Sequence, residues 1–129
     1  MTINQLMTLV DDLTPNQYTA AHKLRWLNEV EQTILTELVQ THEGGRENTF
    51  TPYETADDTE LLAPAPYDRV YPLYLEMKIH YHNGETGRYN DAAAACQNAW
   101  DELRNWYNRT HAPLAAAKRL DLTGGAPCV

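Results

Sequence analysis

The sequence predicts an all-α protein, a small bundle of about four helices with a long central loop and an extended C-terminal tail. Apolar residues recur at helical spacing in four separate stretches. Between the second and third stretches this spacing is lost over residues 41–66. A length of 129 residues with 43% hydrophobic content suits one packed domain. We therefore assign residues 1–111, with loop 41–66, to a single helical domain and residues 112–129 to a docking tail.

The first two helices are predicted over residues 3–13 and 20–40. Thr2 and Thr19 precede them as N-cap residues, whose side-chain oxygens accept N–H groups of the first turn. Pro15 separates the two helices, because it fixes its own φ and disfavours a helical residue before it. The apolar positions of the second helix form one face, which places its glutamates on the solvent side: Glu29, Glu31 and Glu37.

Residues 41–66 form the predicted loop, which contains two adjacent glycines and three prolines. A loop of this length inside a compact domain usually has a function or docks to a partner. Phe50 and Tyr53 are expected to anchor it to the bundle, and residues 60–63 are compatible with a short edge strand. Its residues expected to contact a partner are Glu43, Glu47, Phe50, Tyr53, Glu54, Asp57, Asp58 and Glu60.

The third and fourth helices are predicted as an antiparallel pair. The third begins near Tyr67 and ends at Asn83 and Gly84, a typical left-handed C-cap. Its apolar residues point nearly all around the helix, so it is central or is covered by a second copy. The fourth covers residues 88–108 and packs on the third through residues at heptad-like spacing: Tyr89, Ala93, Cys96, Trp100, Leu103 and Tyr107.

The charge is unevenly distributed along the chain. The first 63 residues carry a net charge of −8 and the remainder is neutral. This asymmetry suits contact between copies or with a partner, and a solvated surface explains it equally well.

A pI near 4.9 argues against duplex DNA or anionic lipid as the principal ligand, because phosphate binding requires excess Lys and Arg. The mixed N-terminal residues resemble neither a signal peptide nor a membrane span, so we expect a cytoplasmic protein without a membrane partner.

Residue patterns that carry chemistry are scarce. His80 and His82 are two residues apart, so on a helix they point in different directions and are expected to pack rather than share a metal. His42 suits a helix-end cap, and the acidic loop lacks EF-hand spacing. Cys96 is expected to be an inert core thiol, while Cys128 has no local base. We predict no catalytic residue, metal site or cofactor, with an enzyme or metal protein kept as a rival class.

Aromatic residues are the strongest compositional signal. Tyr outnumbers Phe by 8 to 1, and most aromatic side chains fall in residues 67–107. Tyrosine is favoured at protein–protein interfaces because it combines a large apolar face with a hydroxyl that reaches water or a partner. A helical core with its hydroxyls at the rim is an equally good explanation. The candidates for a subunit interface are Tyr67, Tyr71, Tyr74 and Trp106.

Three short stretches have a familiar combination of residues. They are Leu13-Thr14-Pro15-Asn16-Gln17-Tyr18 before Leu24-Arg25-Trp26-Leu27, then Pro64-Ala65-Pro66-Tyr67-Asp68-Arg69-Val70-Tyr71, and finally Asn105-Trp106-Tyr107-Asn108-Arg109-Thr110-His111. Over about residues 2–111 the chain resembles small proteins encoded in the structural modules of tailed bacteriophages and prophages, in the head-tail connector, or neck adaptor, group.

The resemblance implies a structural virion protein that is assembled in the host cytoplasm and located in the neck. It implies a homo-oligomeric ring of about twelve copies between the phage portal protein and a downstream neck or tail protein, with DNA passing through the lumen without sequence-specific binding. The alternative is a small cytoplasmic phage regulatory or interaction protein acting as a dimer. By the resemblance, the loop meets the tailward partner or the lumen, and the candidate portal contacts are Arg109, Leu114, Lys118, Arg119 and Leu120.

Overall fold

The computed structural model describes residues 1–112 and 114, and within them it confirms the all-α prediction of a four-helix bundle. No β-strand occurs among these residues, and no helix of the described chain is long and apolar enough to cross a membrane. The elements are α1 (Ile3–Leu13), α2 (Ala20–Ile34), a π-helical continuation of α2 (Leu35–Val39), a 3₁₀ turn (Tyr67–Arg69), α3 (Val70–Asn83) and α4 (Thr86–Thr110).

The predicted helix ends are confirmed by specific backbone bonds. The Thr2 hydroxyl accepts the N–H of Gln5, whose side chain in turn accepts the N–H of Thr2, which is a complete capping box. The Thr19 hydroxyl accepts the N–H of His22 at the start of α2. Gly84 ends α3 in the left-handed conformation at φ 76°, where a side chain would be disfavoured. Local sequence therefore determines where three of the four helices begin or end.

Helix α3 lies at the centre of the bundle and contacts α1, α2 and α4. Hydrogen bonds join Tyr18 to Asn83 and Glu31 to Tyr71, so α2 and α3 are antiparallel. The predicted antiparallel packing of α3 and α4 is confirmed, because Tyr81 contacts Tyr89 near their short link. The central position accounts for the apolar residues on most sides of α3.

This topology gives the bundle two distinct ends. The loop end contains the starts of α1 and α3, the ends of the π-helix and α4, and both ends of loop 41–66. The hairpin end contains the α1–α2 turn and the α3–α4 link. An ion pair between Arg69 and Glu102, at 2.7 Å, joins the 3₁₀ turn before α3 to α4 near the loop end.

The buried stripe of α4 differs from the predicted seam. Cys96 and Leu103 are buried as expected, but the other buried positions are Ala92 and Ala99. These alanines are small enough for the two helix backbones to approach closely, while the large side chains of the predicted seam lie half-buried on its flanks. The flanking residues are Tyr89, Ala93, Trp100 and Tyr107.

Two further predictions are wrong. Glu31 was expected on the solvent side of α2, yet its side chain is fully buried, because it is paired with tyrosine hydroxyls. Residues 60–63 do not form an edge strand, since their pairing is limited to one isolated antiparallel bridge between Thr2 and Glu60.

Candidate interaction surface

The central feature of the loop's attachment is the buried carboxylate of Glu31 on α2. Its Oε1 accepts a 2.5 Å hydrogen bond from the Tyr71 hydroxyl on α3. Its Oε2 accepts the Tyr53 hydroxyl at 2.6 Å and the Leu62 backbone N–H at 3.1 Å. Two of these three donors belong to loop 41–66. We call these four residues the Glu31 network; it couples the loop directly to two helices.

The electrostatics of the Glu31 network keep its tyrosines as donors. Burial raises the pKa of Glu31 above its ordinary range, although the three hydrogen bonds that it accepts partly oppose the effect. Burial and the neighbouring carboxylate both raise the pKa values of Tyr53 and Tyr71 well above that of free tyrosine. Both hydroxyls therefore remain protonated at neutral pH and can donate to Glu31.

Two further contacts strengthen the same attachment. The Asn28 side chain on α2 donates to the Tyr53 carbonyl at 3.1 Å and accepts the Tyr53 N–H at 2.9 Å. The Tyr71 hydroxyl accepts the Ala63 N–H at 2.8 Å while donating to the carboxylate. The expectation that Tyr53 anchors the loop is confirmed, and Phe50 packs edge-on against its ring at 5.1 Å.

The beginning of the loop lies beside the beginning of the tail. The Glu43 N–H donates to the Ala112 carbonyl at 2.7 Å, and the Leu114 N–H donates to the Thr41 carbonyl at 3.1 Å. The loop and tail were assigned to different partners from the sequence. In the structure both segments start at the loop end of the bundle, in direct contact.

Buried His42 reinforces this junction. Its Nδ1 lies 2.6 Å from the Leu38 carbonyl, which confirms the helix-end cap, and its Nε2 lies 2.7 Å from Asn108 Oδ1 on α4. Its ring also packs edge-on against Tyr107 at 4.8 Å, and Tyr107 stacks on His111 at 3.9 Å. The end of the π-helix is thereby fastened to the end of α4.

The far part of the loop is attached to the start of α1. The N–H groups of Ile3 and Asn4 donate to the carbonyls of Thr59 and Asp57 at 3.1 and 2.9 Å. The Asn4 side chain donates to Asp58 at 3.0 Å. Hydrogen bonds from Thr59 lower the pKa of Asp57. These acidic residues therefore hold the loop's turn in place while remaining exposed.

An apolar groove of about 430 Å³ opens between the loop and the end of α4 at the loop end. We call it the loop-end groove. Its lining includes Leu62, a large hydrophobic residue with 44% of its side chain exposed, and Trp106 of the predicted interface. The remaining lining residues are Ile34, Leu35, Leu38, Val39, Asn48, Thr49, Ala63, Pro64, Leu103, Tyr107 and His111.

The acidic candidates of the loop are distributed along its surface and do not form a cation site. Among the described residues, no group of three or more His, Cys, Asp or Glu side chains is placed to hold a metal ion. Glu60 forms an ion pair with the Met1 amine at 3.2 Å. The exposed acids of the loop are Glu43, Glu47, Glu54, Asp57, Asp58 and Glu60.

The predicted tyrosine interface divides into different environments. The prediction that Tyr71 contributes to a subunit interface is wrong, because its side chain is fully buried within the fold, in the Glu31 network. Tyr67 stacks on Trp106 at 4.9 Å, and both are half-buried beside the loop-end groove. Tyr74 is half-buried and donates to Glu29 at 2.9 Å.

His80 and Cys96 are buried within the fold, while exposed His82 packs against an aromatic ring at the surface. His80 Nδ1 lies 2.7 Å from Glu85 at the α3–α4 link, and the His80 hydrogen bond lowers the pKa of Glu85. His82 stacks on Trp26 at 5.3 Å. Cys96 is buried, which raises the pKa of its thiol to about 11. Cys128 lies outside the described residues.

The tail candidates are only partly described. Arg109 is exposed at the end of α4, and Leu114 is half-buried where the described chain ends. The other candidates, Lys118, Arg119 and Leu120, lie outside the described residues.

Sequence reasoning missed Glu31 and Asn108 as the residues that fix the loop and the tail. The available signal for Glu31 is its position between Leu27, Val30 and Ile34, on the apolar face of α2. No local pattern marks Asn108, because its partner His42 is 66 residues away.

Comparisons with family models, curated proteins and solved structures found no match to this chain. The resemblance to phage connectors therefore stays a prediction.

Proposed function

We propose that this protein is a structural component of a tailed-bacteriophage virion, a head-tail connector that forms a ring of about twelve copies around the DNA path. The observation that carries the proposal is the attachment of loop 41–66 at its start, middle and end, which gives the chain a long preformed surface. Preformed surfaces lose less conformational entropy when they bind, which favours assembly. The residue motifs of the connector resemblance supply the choice of a virion neck.

The distribution of charge supports a lumenal position for the loop. Its acidic side chains are exposed, including Glu54, Asp57 and Asp58. A negatively charged wall repels DNA phosphates and so lets the duplex pass without sticking. In the proposed ring, these residues face the channel.

The two ends of the bundle suggest two docking faces. We assign the portal contact to the loop end, where Ala112 and Leu114 pair with the start of the loop and exposed Arg109 lies in the last turn of α4. We assign the downstream neck or tail protein to the hairpin end, where Leu13 and Tyr81 leave 71% and 61% of their side chains exposed. Large apolar side chains that stay exposed at one end of a bundle are available to a partner.

Light scattering during size-exclusion chromatography tests the proposal, with the protein alone and mixed with the portal protein of the same genome. We expect a ring-sized assembly in the mixture. Removing the residues after Leu114 should abolish portal binding, because it deletes the tail while keeping the backbone bonds of residues 112–114. The matched control is Leu13→Ser with Tyr81→Ser, which should retain portal binding.

The alternative outcomes are distinct. A stable dimer with no affinity for the portal would contradict the connector and favour the regulatory or interaction protein. Portal binding by the truncated chain would remove the assignment of the loop end. Loss of portal binding in the hairpin-end variant, with its helical circular dichroism unchanged, would reverse the two docking faces.

A further inference from the structure

The described chain ends at the edge of the loop-end groove. His111 lines the groove, and the Leu114 N–H donates to the carbonyl of Thr41, two residues beyond the lining residue Val39. Fifteen residues follow Leu114 in the sequence. The described chain therefore ends beside an apolar groove, and the residues that follow are numerous enough to span it.

The geometry permits occupation by the segment that follows. Along α4, the groove extends from Leu103 to His111, a rise of about 12 Å at 1.5 Å per residue. Eight residues of chain span about 26 Å when extended, and about 12 Å as a helix. Eight residues are therefore long enough to span the α4 side of the groove in either form.

The chemistry of residues 115–122 complements the groove. Three alanines, Leu120 and Leu122 supply apolar surface for a lining rich in Leu, Ile, Val and aromatic residues. Between them, Lys118 and Arg119 provide positive charge. Exposed Glu37 lies in the π-helix that supplies three lining residues, and exposed Glu47 precedes the lining residue Asn48. The composition of this segment, basic and apolar, therefore complements an apolar groove with acidic residues beside it.

We propose that residues 115–122 of each chain fold back and occupy the loop-end groove of the same chain. Direct attachment at the groove's edge gives this segment a millimolar effective concentration, which a separate partner or second copy must exceed. The segment would shield Leu62 and Trp106 until a partner displaces it. This inference concerns the isolated chain and does not rest on the proposed function.

Disulfide trapping in the full chain tests the proposal. The variant carries Leu62→Cys in the groove, Asp121→Cys in the tail and Cys128→Ser. Cys96 stays unreactive near neutral pH because it is buried and its thiol pKa is about 11. The matched control moves the first cysteine to Asn105, which is exposed on α4 one residue before Trp106 but does not line the groove.

We expect an intramolecular disulfide at Leu62→Cys that forms at least tenfold faster than at Asn105→Cys, at a rate independent of protein concentration. Lys118→Glu with Arg119→Glu should slow it at least threefold. If Leu62→Cys fails to fold, Thr49→Cys provides a second cysteine position in the groove, because Thr49 is exposed and also lines it.

Two results would overturn the proposal. Equal rates of disulfide formation at the groove and control positions would mean that the tail contacts the surface without a preference for the groove. Disulfide-linked dimers whose formation scales with concentration would assign the groove to the tail of a second copy. Both results leave portal binding untouched, so failure here is distinguishable from failure of the connector proposal.

Discussion

The Tyr71 hydroxyl lies 2.5 Å from Glu31 Oε1, and both side chains are fully buried. The same hydroxyl accepts the Ala63 N–H at 2.8 Å, so one oxygen connects α2, α3 and the end of the loop. Buried polar groups are costly unless they are paired, and here each group satisfies another. Among the described residues, no buried side-chain nitrogen or oxygen lacks a partner. Loop and bundle are therefore expected to unfold together.

Tyr71→Phe tests this coupling. The substitution keeps the ring but removes the hydroxyl, which leaves the buried Ala63 N–H unpaired and takes one donor from Glu31. We expect the free energy of unfolding in urea to fall by about 2–3 kcal/mol. Tyr74→Phe is the matched control on the same helix, because its partner Glu29 is exposed, and it should lose less than about 1 kcal/mol. Equal losses in the two variants would contradict the central role of the Glu31 network.

The raised pKa of Glu31 predicts a pH dependence with a definite sign. Its pKa in the fold exceeds its value of 4.5 in the unfolded chain, so the folded state favours the protonated carboxyl. The corresponding stability is fully present below pH 4.5 and is lost as pH rises through the raised pKa. Glu31→Gln has no carboxyl to ionise at this position, so it does not lose this stability as the pH rises. Its free energy of unfolding should therefore improve relative to the wild type between pH 4 and pH 7.

Urea unfolding of both proteins at several pH values measures that difference. Other titrating groups, such as Asp57 and Glu85, are shared by the two chains and largely cancel in the comparison. A difference that stays constant from pH 4 to pH 7, or that moves in favour of the wild type, would mean that the hydrogen bonds to the carboxylate outweigh its burial.

Helix boundaries were predictable because they are local. Thr2, Thr19 and Gly84 act on backbone groups within a few residues, and all three perform the roles that their residue types favour. The apolar residues on most sides of α3 predicted a helix that is either central or covered by a second copy, and the fold places it at the centre. The buried stripe of α4 was harder to predict, because Ala92 and Ala99 carry a weak hydrophobic signal although they are buried.

The attachment of the loop was not predictable in the same way. Tyr53 and Glu31 are 22 residues apart, and Tyr71 and Glu31 are 40 apart. A glutamate on a helix is normally assigned to solvent, since unpaired burial of its charge would be unfavourable. Only the fold brings the two hydroxyls and the Leu62 N–H to the carboxylate. The proximity of the loop's start to the tail likewise depends on the antiparallel path of α4.

Cys96 should resist thiol reagents in the native protein. Its thiol pKa of about 11 leaves very little thiolate at pH 7, and its side chain is buried under the helix contact. In a Cys128→Ser chain, we expect reaction with a disulfide reagent to be at least a hundredfold slower than in the same chain unfolded in urea. Rapid native labelling would contradict this protection and would mean that reagents reach the thiol through the surface groove that Cys96 lines, or that the helices around it open readily.

Two glycine substitutions should have opposite effects on stability. A Cβ at Gly45 would lie 2.0 Å from the Val39 carbonyl oxygen and 2.8 Å from Val39 Cγ1, so the end of the π-helix and the start of the loop would have to move apart. We expect Gly45→Ala to destabilise the protein by about 2 kcal/mol or more. A Cβ at Gly87, in the first turn of α4, meets nothing within 4 Å. Gly87→Ala should raise stability by about 0.5 kcal/mol, because it reduces the freedom of the unfolded chain.

Thermal unfolding followed by circular dichroism at 222 nm provides the measurement for both glycine variants. The melting temperature of Gly45→Ala should fall by several degrees, while that of Gly87→Ala should rise slightly. Amide hydrogen exchange of Glu43 and Leu114 then shows whether the loss of stability comes from opening of the junction between loop and tail. These two N–H groups form hydrogen bonds across that junction, which Gly45 adjoins. Faster exchange at both amides in Gly45→Ala, with unchanged exchange in Gly87→Ala, is the expected pattern. Native exchange in Gly45→Ala would mean that the junction of loop and tail tolerates the added methyl group without opening.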